Sequence, residues 1–218
     1  MFWHGEPMAS LEGLTTGDDG VTRCSWAGDD ELYRSYHDDD WGRPMDDDEA
    51  LFELLMLEAF QSGLSWLTIL RKRDSFRAAF DGFSISKIAR YGDRDVERLL
   101  GDPGIVRNRA KVLATINNAR RMEDLVDEFG SLGAFVWSYE PGPEDRPEKL
   151  DHAALLTMAT TPASKAISKA LKERGWSFVG PTTAYSFMQS AGIVNDHIEG
   201  CDLRAACERE RNTFVRPA

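Results

Sequence analysis

Cysteine and histidine are scarce, with three of one and four of the other in 218 residues. Three widely spaced cysteines make no disulfide framework, so the expected compartment is a reducing one, the cytoplasm. No apolar run approaches the length of a membrane span, and no membrane partner is expected. The opening residues, MFWHGEPMASLEGLTTGDDG, lack a basic start followed by an apolar core, so no secretory signal is expected either. Internal repeats are missing, and the alternating pattern of strands is almost missing, which leaves an all-α class. Positive charge is outnumbered, with 26 Lys and Arg against 37 Asp and Glu. The net charge of −11 argues weakly against a nucleic-acid partner, but its distribution argues otherwise. Residues 1–60 hold sixteen acids and three arginines, whereas residues 71–121 hold thirteen Lys or Arg and six acids. An acidic chain can present one basic face, and local potential governs steering.

What is present begins with Leu51–Trp66, LFELLMLEAFQSGLSW. Leu51, Leu54, Leu55 and Glu58 recur at the spacing of a buried helical face, so a carboxylate stands where an apolar side chain belongs. Burial of an ionised carboxylate is costly without a partner and raises its pKa. Asp46–Asp48 suit the start of this helix, and Gly63 breaks it just before Trp66. An acid beside a glycine turn and a tryptophan could line a pocket for a flat polar or cationic ring. Equally, Glu58 could lie at the stripe's edge and pair with an arginine.

The 218 residues fit a single helical domain over about 22–207, a Gly-rich disordered lead-in over 1–21 and a frayed, charged tail from 208 to 218. Further helices are expected over Trp66–Phe80, Ile85–Tyr91, from Asp93 or Asp95 through Leu100, over 122–139, over Ala163–Arg174 and over Thr182–Ser190. Residues 140–150, EPGPEDRPEKL, read as a surface loop. The stretch GDPGIVRNRAKVLATINNARR sets a glycine-rich turn between two helical segments, a helix-hairpin-helix pattern. Gly104 lies in the turn, and Arg107, Arg109 and Lys111 stand at the mouth of the second helix. Backbone N–H groups there can hold a phosphate with help from nearby cations.

Cys24 and His37 have twelve residues between them, and His197 and Cys201 stand at i and i+4, where one helical turn would aim both the same way. Two Cys and two His make a closed tetrahedral zinc set, structural in kind. The spacing also suits small buried cysteines and a capping histidine. His4 and His152 fit no cluster, and Cys207 is left over as a free thiol.

Four motifs occur in order: RCSWAGDDELYRSYHDDDWG, LFELLMLEAFQSGLSW, GIVRNRAKVLATINNAR and SKALKERGWSFVGPTTAYSFMQSAGIVNDHIEGC. Together, over roughly residues 22–201, they resemble the 3-methyladenine DNA glycosylase I family, a branch of the helix-hairpin-helix DNA glycosylases. The resemblance implies an all-α fold and hydrolysis of the N-glycosidic bond of 3-methyladenine in alkylated double-stranded DNA, as part of base-excision repair. It implies one structural zinc per chain, on Cys24, His37, His197 and Cys201, tying the N- and C-terminal segments together. It implies a base pocket with Glu58 as the functional acid and Trp26, Tyr33, Tyr36 and Trp66 as its aromatic walls. Gly63, Leu64 and Ser65 would form the wedge into the duplex, and the turn at Gly104 the anchor on DNA. No Schiff-base lysine and no lyase step are expected, and a monomer suffices. Departures from the family are the acidic residues 1–21, the proline-rich loop 140–147 and Phe60, where a polar residue can occur. The residues by themselves also fit a non-catalytic, zinc-stabilised DNA-binding protein or a glycosylase for another damaged purine.

Overall fold

The computed structural model describes residues 12–218; residues 1–11, which include His4, lie outside the described residues. The chain begins with a small antiparallel hairpin, β1 (Leu14–Thr16) against β2 (Thr22–Cys24), in which Leu14 faces Cys24. The disorder expected through residue 21 therefore does not hold for residues 12–21. A polar tie supplies the order that composition hides. Arg23, only 8% exposed, is gripped by Asp19 and Asp38, and the backbone of Thr22 pairs with Asp202 near the other end of the chain.

Helix α1 (Glu31–Ser35) starts at Asp30, whose side chain accepts from the Tyr33 N–H at 3.2 Å. Its end widens, with the Trp41 N–H bonding back five residues to the Tyr36 carbonyl. The wide turn buries both Tyr36 and His37.

Helix α2 (Asp48–Gln61) is the centre of the core. Asp47 caps it, accepting from the Ala50 N–H at 2.8 Å, and Asp48 and Glu49 favour its positive end. Every residue from Leu51 to Phe60 is buried. The helix is enclosed on all sides, so its acids are buried whichever face they occupy. Around it pack α3 (Trp66–Leu70), α7 (Arg109–Phe129), α8 (Leu132–Trp137) and α11 (Pro181–Ser190).

The helix expected over Trp66–Phe80 is two, α3 and α4 (Arg73–Ala79). The break falls at Lys72, whose N–H bonds three residues back to Ile69 and whose ammonium donates to the carbonyls of Pro103 and Gly104 at 3.1 Å each. The segment 122–139 is likewise split, with α7 stopping at Gly130 before α8. Short α5 (Ile85–Ile88) precedes α6 (Asp93–Gly101), and residues 102–108 turn the chain into α7. The loop 140–150 leads to α9 (His152–Thr157), which sequence reading missed, and then to α10 (Pro162–Glu173), which packs on α11.

The tail expected to fray is ordered instead. Helix α12 spans Arg204–Thr213, the Phe214 ring lies 4.7 Å from the Trp137 ring, and Arg216 pairs with Glu140. Burial of one aromatic and a double arginine grip on Glu140, from Arg211 and Arg216, outweigh the polar composition of this segment.

Candidate base pocket and metal cluster

Helix α2 and helix α11 pack against each other and bring Glu58 opposite Ser190. The Ser190 hydroxyl donates to Glu58 Oε1 at 2.8 Å, and the Tyr36 hydroxyl lies 2.9 Å from Ser190 Oγ. Tyr36 can therefore donate to Ser190, which donates to Glu58. No cation among the described residues reaches this carboxyl. Burial pushes its pKa up to about 8, against a smaller lowering by the Ser190 bond. Burial raises Tyr36 and Tyr33 as well, and the Glu58 charge adds to both shifts.

Glu53, five residues earlier on the same helix, is an internal control. It is also buried, yet Arg73 donates to it at 2.6 Å and Arg77 at 2.9 Å. The arginine-paired reading that fits Glu58 on paper describes Glu53 instead.

Glu58 closes one end of a cavity of about 250 Å³. Trp26, Tyr33, Tyr36, Trp41 and Trp66 line it, with Gln61, Leu155, Ser186, Gln189 and Ser190. The rings of Tyr36 and Trp66 are 5.4 Å apart, and Trp26 packs on Tyr33 at 5.1 Å and edge-on to Trp41 at 4.8 Å. The buried indole N–H of Trp66 has no partner among the described residues, so it is a donor held in reserve. The five expected pocket residues thus share one cavity. Sequence reading missed Trp41, Gln61, Gln189 and Ser190; the one signal for the last two was a Gln-Ser pair ending the otherwise apolar face of α11.

At the floor of the same region, the donor atoms of Cys24, His37 and Cys201 lie within 4.8 Å of one another, all buried. His197 is fully buried beside them, its ring 4.7 Å from that of His37 and its Nε2 3.3 Å from the His37 carbonyl oxygen. His37 Nδ1 meets Asp38 at 2.7 Å and His197 Nδ1 meets Asn195 at 2.9 Å. The pairing leaves His37 Nε2 for the cluster, 3.7 Å from Cys201 Sγ, the arrangement a metal-ligating histidine needs, whereas His197 Nε2 rests against the His37 carbonyl and lies outside the three-donor group. Burial, aided by the neighbouring His37, lowers the pKa of His197 to about 4, so its ring is neutral. A hydrogen bond between the two sulfurs raises Cys24 and lowers Cys201. His197 and Cys201 are not brought together by a helical turn, as the i, i+4 spacing suggested. Residues 195–201 run outside any helix, and a tight turn joins the Cys201 N–H to the Ile198 carbonyl. Cys207 is buried and apart from the cluster.

Gly63 has a φ of +85°, and with Leu64 and Ser65 it makes an exposed turn between α2 and α3. Ser65 caps α3, accepting from the Thr68 N–H at 3.2 Å, and leaves the Leu64 side chain 42% exposed. Gly104 lies in the turn between α6 and α7, where the Asp102 side chain accepts from its N–H at 2.7 Å. Arg107 and Arg109 are exposed there and make no bond to the described residues. Lys111 corrects an expectation. It is 6% exposed, and its ammonium donates to the carbonyls of Phe60 at 2.8 Å and Ser62 at 2.6 Å. It satisfies the open end of α2, and burial lowers its pKa, so it does not face a phosphate. Other cations of the basic segment are likewise committed inward, Arg73 and Arg77 to Glu53 and Arg120 to the carbonyls of Ala89 and Tyr91.

Fold and cavity together define a mostly helical protein with an aromatic-lined pocket that holds one buried acid. The model of the methyladenine glycosylase family matches residues 26–205, and the chain belongs to that family. DNA-3-methyladenine glycosylase 1 of Escherichia coli is 46% identical over 189 residues, covering 83% of this chain and 96% of that one. DNA-3-methyladenine glycosylase of Haemophilus influenzae is 42% identical over 190 residues, covering 85% and 100%. Among solved structures, a crystal structure of 3-methyladenine DNA glycosylase I is 47% identical, has a TM-score of 0.74 and is covered to 98% by 83% of this chain. That of 3-methyladenine DNA glycosylase I from Staphylococcus aureus, solved for 3-methyladenine recognition, is 36% identical, with a TM-score of 0.77 and coverages of 84% and 96%.

Proposed function

We propose that this chain hydrolyses the N-glycosidic bond of 3-methyladenine in alkylated double-stranded DNA, as a base-excision repair enzyme without a lyase step. The observation that carries the reading is the lone Glu58 carboxyl. It is 4% exposed, faces an aromatic cavity and has only a hydroxyl for a partner, while Glu53 on the same helix has two arginines. Such an acid is unfavourable in the empty site and favourable beside a cation.

N3-methylation makes adenine cationic while it is still attached to its sugar. The base is reached only when the nucleotide leaves the duplex stack. Leu64 on its exposed turn would occupy the gap, and the turn at Gly104 with Arg107 and Arg109 would hold the backbone. The aromatic faces and the ionised Glu58 then bind the cationic ring, whereas neutral adenine gains little from the charge. Tyr36 and Ser190 orient Glu58. The alkylated base is a good leaving group, so water can complete the reaction without a covalent intermediate. The lining of the cavity among the described residues offers aromatic, hydroxyl, amide and carboxyl groups, and β-elimination of product DNA would refute a monofunctional enzyme.

Cys24, His37, His197 and Cys201 suit one structural zinc. The fit rests on two buried thiols, two buried imidazoles with Nδ1 held by Asp38 and Asn195, and one thiol readily ionised by the other. Four protein ligands leave no open position, so the ion would tie β2 and the wide turn after α1 to the C-terminal turn and take no part in the chemistry. We read the protein as a cytoplasmic monomer, since one chain holds every group the mechanism uses.

The test is base release from methylated duplex DNA, comparing wild type with Glu58→Ala. Release of 3-methyladenine by wild type, strongly reduced in the variant, is the expected result. No release by a folded wild type would leave a DNA-binding protein without chemistry.

A further inference from the structure

We infer that Gln189 determines specificity by reading the exocyclic amino group of the flipped base, and that Asp196 is the positioning residue that fixes the Gln189 amide. The inference rests on the glycosylase reading above. Charge alone separates methylated from unmethylated bases. It does not separate adenine from guanine, because N3-methylated guanine in DNA is cationic too. A second feature of the cavity has to do so.

Gln189 lines the cavity next to Ser190. Its Nε2 donates to Asp196 Oδ2 at 2.7 Å. Asp196 is fully buried, and the same oxygen accepts from the Tyr185 hydroxyl at 2.5 Å. Its other oxygen accepts from the guanidinium of Arg146, which reaches in from the loop 140–150. A guanidinium and an amide nitrogen only donate, so both carboxylate oxygens are acceptors. Turning the amide over would set Oε1 against Oδ2, two acceptors with no hydrogen between them. The amide is therefore locked with Oε1 away from Asp196. None of the described residues donates to that oxygen.

Gln189 thus brings to the cavity wall an amide whose Oε1 is turned away from Asp196 and is an acceptor without a donor among the described residues. Adenine offers an amino group at position 6, and guanine a carbonyl oxygen. The amino group would satisfy Oε1, whereas the carbonyl would leave two acceptors facing each other. Glu58 cannot enforce this choice alone, since a carboxyl pushed up by burial can carry a proton and donate to a carbonyl. The loop that sets this chain apart acquires a role through Arg146, which compensates the buried charge of Asp196.

The experiment measures single-turnover release of 3-methyladenine and 3-methylguanine from duplex DNA treated with methylnitrosourea. Wild type, Asp196→Asn and Gln189→Leu are compared. In Asp196→Asn the new carboxamide can donate to Gln189 Oε1, which lets the amide turn and present its NH2 to the base. Release of 3-methyladenine should fall about tenfold or more while that of 3-methylguanine holds or rises. Gln189→Leu should lower 3-methyladenine release relative to that of 3-methylguanine, narrowing the ratio by about tenfold. It leaves Asp196 held by Tyr185 and Arg146, so it decides the matter if Asp196→Asn does not fold. Equal falls for both bases, or an unchanged ratio in Gln189→Leu, would overturn the inference while the glycosylase reading stands. If folded wild type releases neither base, the glycosylase reading falls, and this inference with it.

Discussion

Replacing Glu58 by glutamine should make the free protein more stable and nearly inactive, and the two effects share one cause. Glu58 has an ordinary pKa of 4.5 and a folded value of about 8, raised by burial. Between those values the folded state holds a proton that the unfolded state releases. The native state binds more protons there, so wild-type stability falls as pH rises from 4.5 and levels off above 8. At 1.36 kcal/mol per pH unit, keeping Glu58 protonated at pH 7 costs roughly 3 kcal/mol. Glutamine keeps the shape and can still accept from Ser190, yet it has no charge to lose. Urea denaturation should show Glu58→Gln within about 1 kcal/mol of wild type near pH 5 and more stable by roughly 3–4 kcal/mol at pH 8. For the same reason kcat/KM of wild type should climb with pH along a limb near 8, since the free enzyme must ionise to meet a cationic base. Equal stability of the two proteins at both pH values, or an activity falling from pH 6 to 8, would refute the buried-acid argument.

Ser190→Ala removes the one hydrogen bond that favours the charged form of Glu58, so its activity limb should move to higher pH and release at pH 7 should fall several-fold. Cys201→Ser, or prolonged treatment with a strong chelator, should lower the melting temperature and abolish a stoichiometric zinc signal in elemental analysis. Lys111→Met strands the carbonyls of Phe60 and Ser62 and should cost about 1–3 kcal/mol of stability while leaving the salt dependence of DNA binding unchanged. Arg107→Ala and Arg109→Ala should do the reverse, each reducing the slope of log affinity against log salt by about 1 with stability intact.

The parts of the molecule that were legible beforehand are those set by local chemistry. Asp47 capping α2 and Thr161 before Pro162 at the start of α10 follow from side-chain hydrogen bonding to the first N–H groups. The aromatic residues of the pocket and the Cys and His of the cluster were legible through the motif resemblance. What stayed hidden depends on partners far away in sequence. Arg23 orders the N-terminal hairpin only because Asp38 waits for it, and Phe214 orders the tail only because Trp137 does. Lys111 looked like a phosphate contact because its neighbours are exposed arginines. The open end of α2, fifty residues earlier in the chain, claims it instead. The i, i+4 rule failed at His197 and Cys201 because Gly200, at φ +93°, sits in a turn that aims them without a helix.

On the proposed reading, helix α2 is what would let the pocket discriminate. A half-exposed acid would keep water at its back, ionise at its ordinary pKa and attract any cation weakly. Because α2 is enclosed from Leu51 to Phe60, Glu58 has no such outlet. Its desolvation is a fixed cost of the empty site, and the cost is recovered only by a ligand that brings positive charge. Neutral adenine leaves most of it unrecovered, and 3-methyladenine in DNA recovers it as the nucleotide enters. Glu53 shows the same helix without that device: Arg73 and Arg77 have already neutralised it, and no ligand can gain from it. Moving an arginine within reach of Glu58, for example by Leu155→Arg on the cavity wall, should therefore restore an ordinary carboxylate pKa and remove the preference for the methylated base together. An enzyme that kept its preference with Glu58 paired would show that the aromatic faces, and not the acid, make the choice.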